Sequence, residues 1–339
     1  MMLTWDHGSI FGIFKVEKGN PFLEEANLSK NSPLFLYEDG QNMYFAKKNL
    51  SYKRFWDTEL IAQNHTSDVV EILTNEELAN IIGNSLPGNK KLDVLIMMNC
   101  FAQNIYAACA LQNVVRYMVG PQGAIDEPGY NYRAILDTLM KSPHIKADKL
   151  ANIAVSSIEQ LGTNPDDEKE INTWAVLGTS LKRIPEIISL LDELGKVLLE
   201  KIEIDPDEFN LFQIKNLRNT DLFSFDLFRT TEYLIDLKNL LEQLIVRIQD
   251  ERIKKLCDDI HHLETLFCKV KFLGKTHYIF NGSDFSTINT PPTGISIYFP
   301  KTNKLVANDD FRLMNETDLT TQATNWLKFL DQYHMKITP

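Results

Sequence analysis

At 339 residues, with 44% hydrophobic and 24% charged side chains, the chain can bury a large core, and its ordinary globular composition excludes wholesale disorder. A net charge of −11 argues against binding to nucleic acid or to anionic membrane surfaces, and no apolar run reaches the roughly 18 residues of a membrane span. Four cysteines, at 100, 109, 257 and 268, supply neither a disulfide framework for so long a chain nor the paired short spacing of a zinc site.

The chain opens with a short apolar strand, Met2 to Trp5, followed at once by His7 and Gly8. No basic n-region precedes it, so no signal peptide is visible. Residues 15–60 are polar and irregular, with turn signals at Lys18-Gly19-Asn20-Pro21, Ser32-Pro33 and Asp39-Gly40. Within them Tyr37, Tyr44 and Phe45 indicate short strands or a hairpin near the site. Thr74 and Glu77 have capping-box spacing and predict a helix through Leu78, Ile81 and Ile82.

Leu92 to Met98 is an apolar run, β-branched at Val94 and Ile96 and bounded upstream by Pro87-Gly88-Asn89. That pattern predicts a strand buried on both faces, as in a parallel sheet. Helical residues from Gln103 to Leu111 follow. Cys100 therefore falls between a strand's carboxyl end, where α/β sheets form their ligand crevice, and a helix start, which favours a thiolate. A single Cys ending an apolar run is more often a small core residue. A His at another strand end of the same sheet supplies the partner that thiol chemistry needs.

Further on, the pattern predicts a strand over 117–121, a loop over 122–132, helices over 133–141 and 145–161, an acidic turn over 165–170 and a strand over 171–178. From 205 it changes. Leu234, Leu237, Leu241, Leu244, Ile245 and Ile248 share one helical face. A second helix over 251–267, short strands over 268–273, 277–280 and 294–300, and a last helix over 318–334 complete the chain. The expected fold is α/β, a mostly parallel sheet flanked by helices, with a helical and small β carboxyl-terminal part. The expected division is 1–204 and 205–339.

The order and spacing of several motifs resemble the clostripain family of cysteine peptidases, relatives of caspases, gingipains and legumain. They are Trp5-Asp6-His7-Gly8, Met98-Asn99-Cys100, Tyr117-Met118-Val119-Gly120, Glu127-Pro128-Gly129 with Tyr132, Asn172 to Leu191, Tyr233 to Leu237, and Gly294 to Pro300. The resemblance runs from residue 3 to about 332. It implies a caspase-like catalytic domain over 1–204 that hydrolyses peptide bonds, with Cys100 as nucleophile and His7 as general acid/base. It also assigns the oxyanion hole to the amides of Gly8 and Cys100. Asp6, by strand alternation, faces away and is read as structural. Family members carry two further strands and a helix before the His strand, so the sheet here is expected to lack its first strands and expose an edge. That expectation also favours an alternative, an inert relative that binds peptides or packs in an assembly.

The resemblance places the substrate pocket at Met98, Asp126, Glu127 and Trp174. Many members cut after Arg or Lys, using acidic residues two positions before the Cys and in the loop after the next strand. Met98 stands at the first position. In the loop, Gln122-Gly123 replaces the usual acidic pair, and the Asp expected after Pro128-Gly129 is deleted. A neutral or apolar P1 side chain is therefore expected, unless Asp126 or Glu127 restores the acid. Relatives also cut themselves in a polar loop, and residues 15–60 hold Lys15, Lys18, Lys30, Lys47 and Lys48. The partner is a peptide or protein substrate, with no nucleic acid and no membrane span. No cofactor is implied except calcium, by resemblance alone, and no EF-hand-type loop is present. The histidines at 65, 144, 261, 262, 277 and 334 lack metal-ligand spacing. Localisation is not set by this chain, although relatives are commonly secreted.

Overall fold

The computed structural model describes residues 1–5, 7–9, 12–17, 34–39, 42–47, 69–122, 125, 129–159, 176–204, 224–226, 233–272, 294–299 and 317–336. For some strand residues, His7 and Gly8 among them, it describes the backbone alone. Strands β1 (Met2–Trp5), β2 (His7–Ser9), β3 (Gly12–Glu17), β4 (Leu34–Asp39), β5 (Asn42–Lys47) and β6 (Val69–Thr74) lead into helix α1 (Asn75–Ser85). Its capping box forms as the spacing predicts. Thr74 Oγ1 accepts from the Glu77 N–H at 3.1 Å, and the Glu77 carboxylate accepts from the Thr74 N–H at 2.9 Å.

Next come β7 (Leu92–Met98), α2 (Ile105–Leu111), β8 (Val115–Pro121), α3 (Tyr132–Lys141), α4 (Ala147–Glu159) and β9 (Val176–Ser180). After a 3₁₀ turn the long α5 (Ile184–Ile204) follows. The carboxyl-terminal part holds β10 (Ser224–Asp226), β11 (Tyr233–Asp236), α6 (Leu237–Arg247), α7 (Glu251–Phe267) and β12 (Cys268–Phe272). Strand β13 (Ser296–Tyr298), α8 (Asp318–Gln322) and α9 (Thr324–Lys336) close it.

The central sheet has the order β1-β7-β8-β9-β12. Strands β1, β7 and β8 are parallel; β9 is antiparallel to β8, and β12 to β9. Four of these five strands thus run the same way, the mostly parallel sheet expected. Strand β1 is its edge among the described residues. Smaller sheets are β10-β11-β13, β2-β3-β6 and the β4-β5 hairpin.

Strand alternation divides the core in two. Leu95 and Met97 face a large cluster built with α1, α2, α5, α6, α7, α8 and α9; Val94, Ile96 and Met98 face a smaller one built with α3 and α4. The stripe Ile184, Ile187, Ile188, Leu191, Leu194, Leu198 and Ile202 on α5 is buried in the large cluster, each such side chain contributing about 1.5–3 kcal/mol. Gly195 lets α9 approach closely: a Cβ there would collide with the backbone nitrogen of Trp326. Residues on both sides of position 204 share this core, and β12 joins the main sheet.

Several local expectations need correction. Residues 15–60 are not wholly irregular, since β3 enters them, and the hairpin expected at Tyr37, Tyr44 and Phe45 forms from β4 and β5 with Tyr37 opposite Tyr44. Strand β6 had no clear sequence signal. Leu234 lies on β11, not on the helical stripe, because pairing with β10 and β13 overrides the periodicity. Ile248 is the C-cap of α6 rather than a helical residue. The last helix is two, broken at Ala323, where Asn325 donates to the Asp192 carboxylate through its backbone at 2.7 Å and its side chain at 2.8 Å. The expected strand over 277–280 and the acidic turn over 165–170 lie outside the described residues.

Candidate active site

The pairing of β1 with β7 sets the geometry. Trp5 lies opposite Met98 in adjacent parallel strands. Both chains leave the sheet at its carboxyl edge, and His7 and Cys100 are each two residues beyond that last matched pair. A buried hydrogen bond ties the two exits together: Thr4 Oγ1 donates to Asn99 Oδ1 at 3.1 Å.

Cys100 is partly buried, is not part of a disulfide and packs against the large cluster. The backbone turns sharply just after it. Phe101 has φ of 59°, a left-handed conformation costing a bulky residue about 1–3 kcal/mol, and its ring is anchored in the core at 3% exposure. The expectation of a helix start beside Cys100 is corrected here. Helix α2 begins only at Ile105, because Asn104 is its N-cap: Oδ1 accepts from the Ala107 N–H at 2.8 Å and Nδ2 donates to the Phe101 carbonyl at 2.7 Å. Cys100 lies outside the first helical turn and gains no direct N-terminal charge from it.

Gln103 fills the space between β8 and the reversed β9. Its Nε2 donates to the carbonyls of Met118 at 3.2 Å and Leu177 at 3.0 Å, and its Oε1 accepts from Thr179 Oγ1 at 2.8 Å. Its backbone N–H donates to Pro121 and its carbonyl accepts from Ser296, both at 2.9 Å. The segment after Cys100 is thereby pinned to three strands. On the next exit, Gln122 Nε2 donates to Asp236 Oδ2 at 2.9 Å. Both residues are fully buried.

Of the expected pocket residues, Met98 is 4% exposed and faces the smaller cluster. Its sulfur accepts from the Tyr132 hydroxyl, and burial pushes the Tyr132 pKa up, so the phenol stays a donor. Gly129 closes over the same side chain with φ of 75°; a Cβ there would meet Met98 Sδ at 2.8 Å. Tyr130 Oη donates to the Met97 carbonyl at 3.1 Å. Asp126, Glu127 and Trp174 lie outside the described residues, and of His7 and Gly8 only the backbone is placed. Gln103 drew no attention in the sequence, while Gln122 stood out only as a departure from the acidic pair of the pocket loop, and Tyr132 and Asp236 only as members of motifs. Of these only Asp236, three before Asn239 at a helix start, carries a local signal.

Cys109 and Cys257 are buried, and desolvation pushes both thiols up to about 12, with nearby carboxylates adding to it. Neither can ionise near neutral pH. Among the described residues no three of His, Cys, Asp and Glu could hold a metal ion together, and no described helix is long and apolar enough to cross a membrane. A cavity of about 460 Å³ is lined by Lys91, Gln112, Arg116, Tyr117 and Lys182 among others. It lies at the amino ends of β7 and β8, away from the carboxyl edge where such sheets bind substrates.

The clostripain family model matches residues 40–333, a span that includes Cys100 and leaves His7 outside it. Among solved structures, the B. fragilis cysteine protease has 13% identity and a TM-score of 0.50, covering 75% of this chain and 96% of that one. A secreted cysteine protease from Bacteroides thetaiotaomicron, in complex with an irreversible peptide inhibitor, has 14% identity and a TM-score of 0.53. That match covers 84% of this chain and 69% of the other. At such identities the likeness is one of fold. The curated proteins yielded no match.

Proposed function

The chain belongs to the clostripain family of cysteine peptidases, and from that premise we propose that it hydrolyses peptide bonds with Cys100 as nucleophile and His7 as general acid/base. One observation carries the reading: the Trp5–Met98 match in adjacent parallel strands, from which both residues are equally far removed. His7 takes the thiol proton as Sγ attacks the scissile carbonyl carbon. The oxyanion is held by the amides of Gly8 and Cys100, each such donor being worth about two to three orders of magnitude in rate. The intermediate collapses to a thioester, and the departing amine takes its proton from His7. Water, deprotonated by His7, then releases the acid and restores the thiol.

The sharp turn at Phe101, held by Asn104 and Gln103, supports this role because it presents Cys100 at a fixed angle to the cleft. The substrate side of the cleft runs along Met98 and the segment beyond β8, with Asp126, Glu127 and Trp174 as its further residues.

A biotinylated tetrapeptide acyloxymethyl ketone should label Cys100 covalently. Cys100→Ala should abolish labelling and lower peptide hydrolysis by about 10⁴-fold or more, and His7→Ala by about 10²–10⁴-fold. Wild-type protein that binds peptides yet never forms the adduct would instead support the inert, peptide-binding alternative.

A further inference from the structure

We propose that the cavity of about 460 Å³ at the amino ends of β7 and β8 is a second binding site, taking the phosphate or carboxylate group of a small hydroxyl-bearing molecule. Cys100 follows the opposite, carboxyl end of β7, so the inference stands apart from the reading of Cys100 as nucleophile.

The chain carries 46 acidic and 35 basic side chains, yet in this cavity the cations outnumber the acids. Lys91, Arg116 and Lys182 line it, against Asp148 alone. The three cations come from separate places in the fold: the residue before β7, strand β8, and the 3₁₀ turn after β9. Lys182 pairs with no acid among the described residues. Lys91 Nζ donates to the Gln112 carbonyl at 2.7 Å, which holds the ammonium at the wall and leaves two of its three protons for a ligand. Arg116 meets Asp93 through one nitrogen at 3.2 Å, and the rest of its fork stays open to a second anion.

The backbone adds to the same sign of charge. Helices α4 and α5 both begin at the cavity, with Ala147 and Pro185 in its wall, and each brings the positive end of its dipole. Ser180, also in the wall, precedes the 3₁₀ turn but makes no capping hydrogen bond with its hydroxyl, which is left to serve a ligand. Gln112 is 4% exposed, and its Oε1 has no donor among the described residues. A buried acceptor is costly until a donor meets it, and a ligand hydroxyl is such a donor. The wall therefore offers cations and donors for an oxyanion, with an acceptor for an O–H beside it. Hydrogen phosphate, a phosphomonoester and a hydroxy acid share that chemistry. The volume is in the range of small-molecule sites, about 300–1,000 Å³.

Isothermal titration of the full chain with inorganic phosphate, and separately with citrate, at an ionic strength held constant with KCl, tests the site. At least one of the two should bind saturably. Lys182→Gln with Arg116→Gln should weaken that binding about tenfold or more, and Asp148→Asn should tighten it about threefold by removing a like charge. Lys141→Gln with Lys254→Gln, exposed cations on other helices, is the charge-matched control and should stay within about twofold. All these side chains are exposed or half-buried, so the variants should melt as wild type does. Tighter binding of phosphate assigns the site to a phosphorylated ligand, and of citrate to a hydroxy acid; either supports the proposal. Cys100→Ala should bind as wild type does, whatever its peptidase activity, and a loss there would put the anion in the catalytic cleft and overturn the inference. Absence of saturable binding with both anions overturns it as well. So does an equal loss in the charge-matched control, because the anion would then answer only to the overall charge.

Discussion

The two faces of the central sheet are built at different scales, and consecutive residues of β7 serve one each. Met97 enters the large cluster, backed by α1, α2 and the five helices from α5 to α9; Met98 enters the small one, backed by α3 and α4. The turn that carries Cys100 is anchored on the large side through Phe101, and Gln122 leaves β8 on that side too, since Gly120 faces Met97 and Ala102. The wall formed by Met98, Gly129 and Tyr132 belongs to the small side. Cys100 and Met98, the proposed nucleophile and the proposed specificity wall, are thus two residues apart in sequence yet supported by different cores. Packing changes on one face should be felt globally, and changes on the other mainly in which substrates are accepted.

The comparison breaks most directly at Leu191 and Ile135. Leu191 is fully buried at the centre of α5, so Leu191→Ala should cost about 2–5 kcal/mol in urea denaturation. Ile135 is the one buried residue of α3, on a helix with Leu136 and Met140 exposed, so Ile135→Ala should fall at the lower end of that range. Equal losses would mean that the small cluster is as tightly coupled to global stability as the large one.

The P1 preference sharpens the difference between the faces. Met98 is sealed by Gly129 and by the Tyr132 hydroxyl, neither of which carries a negative charge. An apolar or neutral P1 side chain should be favoured over Arg or Lys. A difference of about 3 kcal/mol, roughly a hundredfold in kcat/KM, follows from desolvating an unpaired cation. A peptide library varied at P1 reads this directly. Cleavage mainly after Arg or Lys, abolished by Asp126→Asn or Glu127→Gln, would assign the pocket to the loop and not to Met98.

How much of this was legible follows a physical rule. Local signals came through: the capping box at Thr74 and Glu77, the apolar strand Leu92–Met98, and the helix Glu251–Phe267 all formed as their patterns predict. Cys100 stood out because a strand's end has a sequence signature, and the Trp5-to-Gly8 motif pointed to His7. Gln103 did not stand out, nor did the pairing of Gln122 with Asp236. Their partners Leu177, Asp236 and Gln122 lie 74 to 114 positions away, and a buried amide bonded to a distant carbonyl leaves no local mark. Leu234 was misassigned for a related reason: its helical spacing from Leu237 and Leu241 is real, but its backbone is claimed by β10 and β13.

Alkaline pH offers a finer test of the same contrast. Cys109 and Cys257 both belong to the large cluster, and burial raises each from an ordinary value of 9 to about 12. Below pH 9 both states hold the thiol protons and stability does not respond. Above it the unfolded chain loses them while the folded chain keeps them, so stability falls as pH rises from 9 toward 12. Each thiol contributes a slope approaching about 1.4 kcal/mol per pH unit. The small cluster holds Tyr130 instead, whose phenol starts from 10 and is raised by burial, so its share of the loss begins only above pH 10. Tyr106 and Tyr333 of the large cluster join it there. Urea denaturation at pH 8, 9 and 10 should therefore show a decline that Cys109→Ala with Cys257→Ala flattens, measured against the double variant's own stability at pH 8. A decline between 9 and 10 that survives the double substitution would place the alkali-sensitive groups outside the large core.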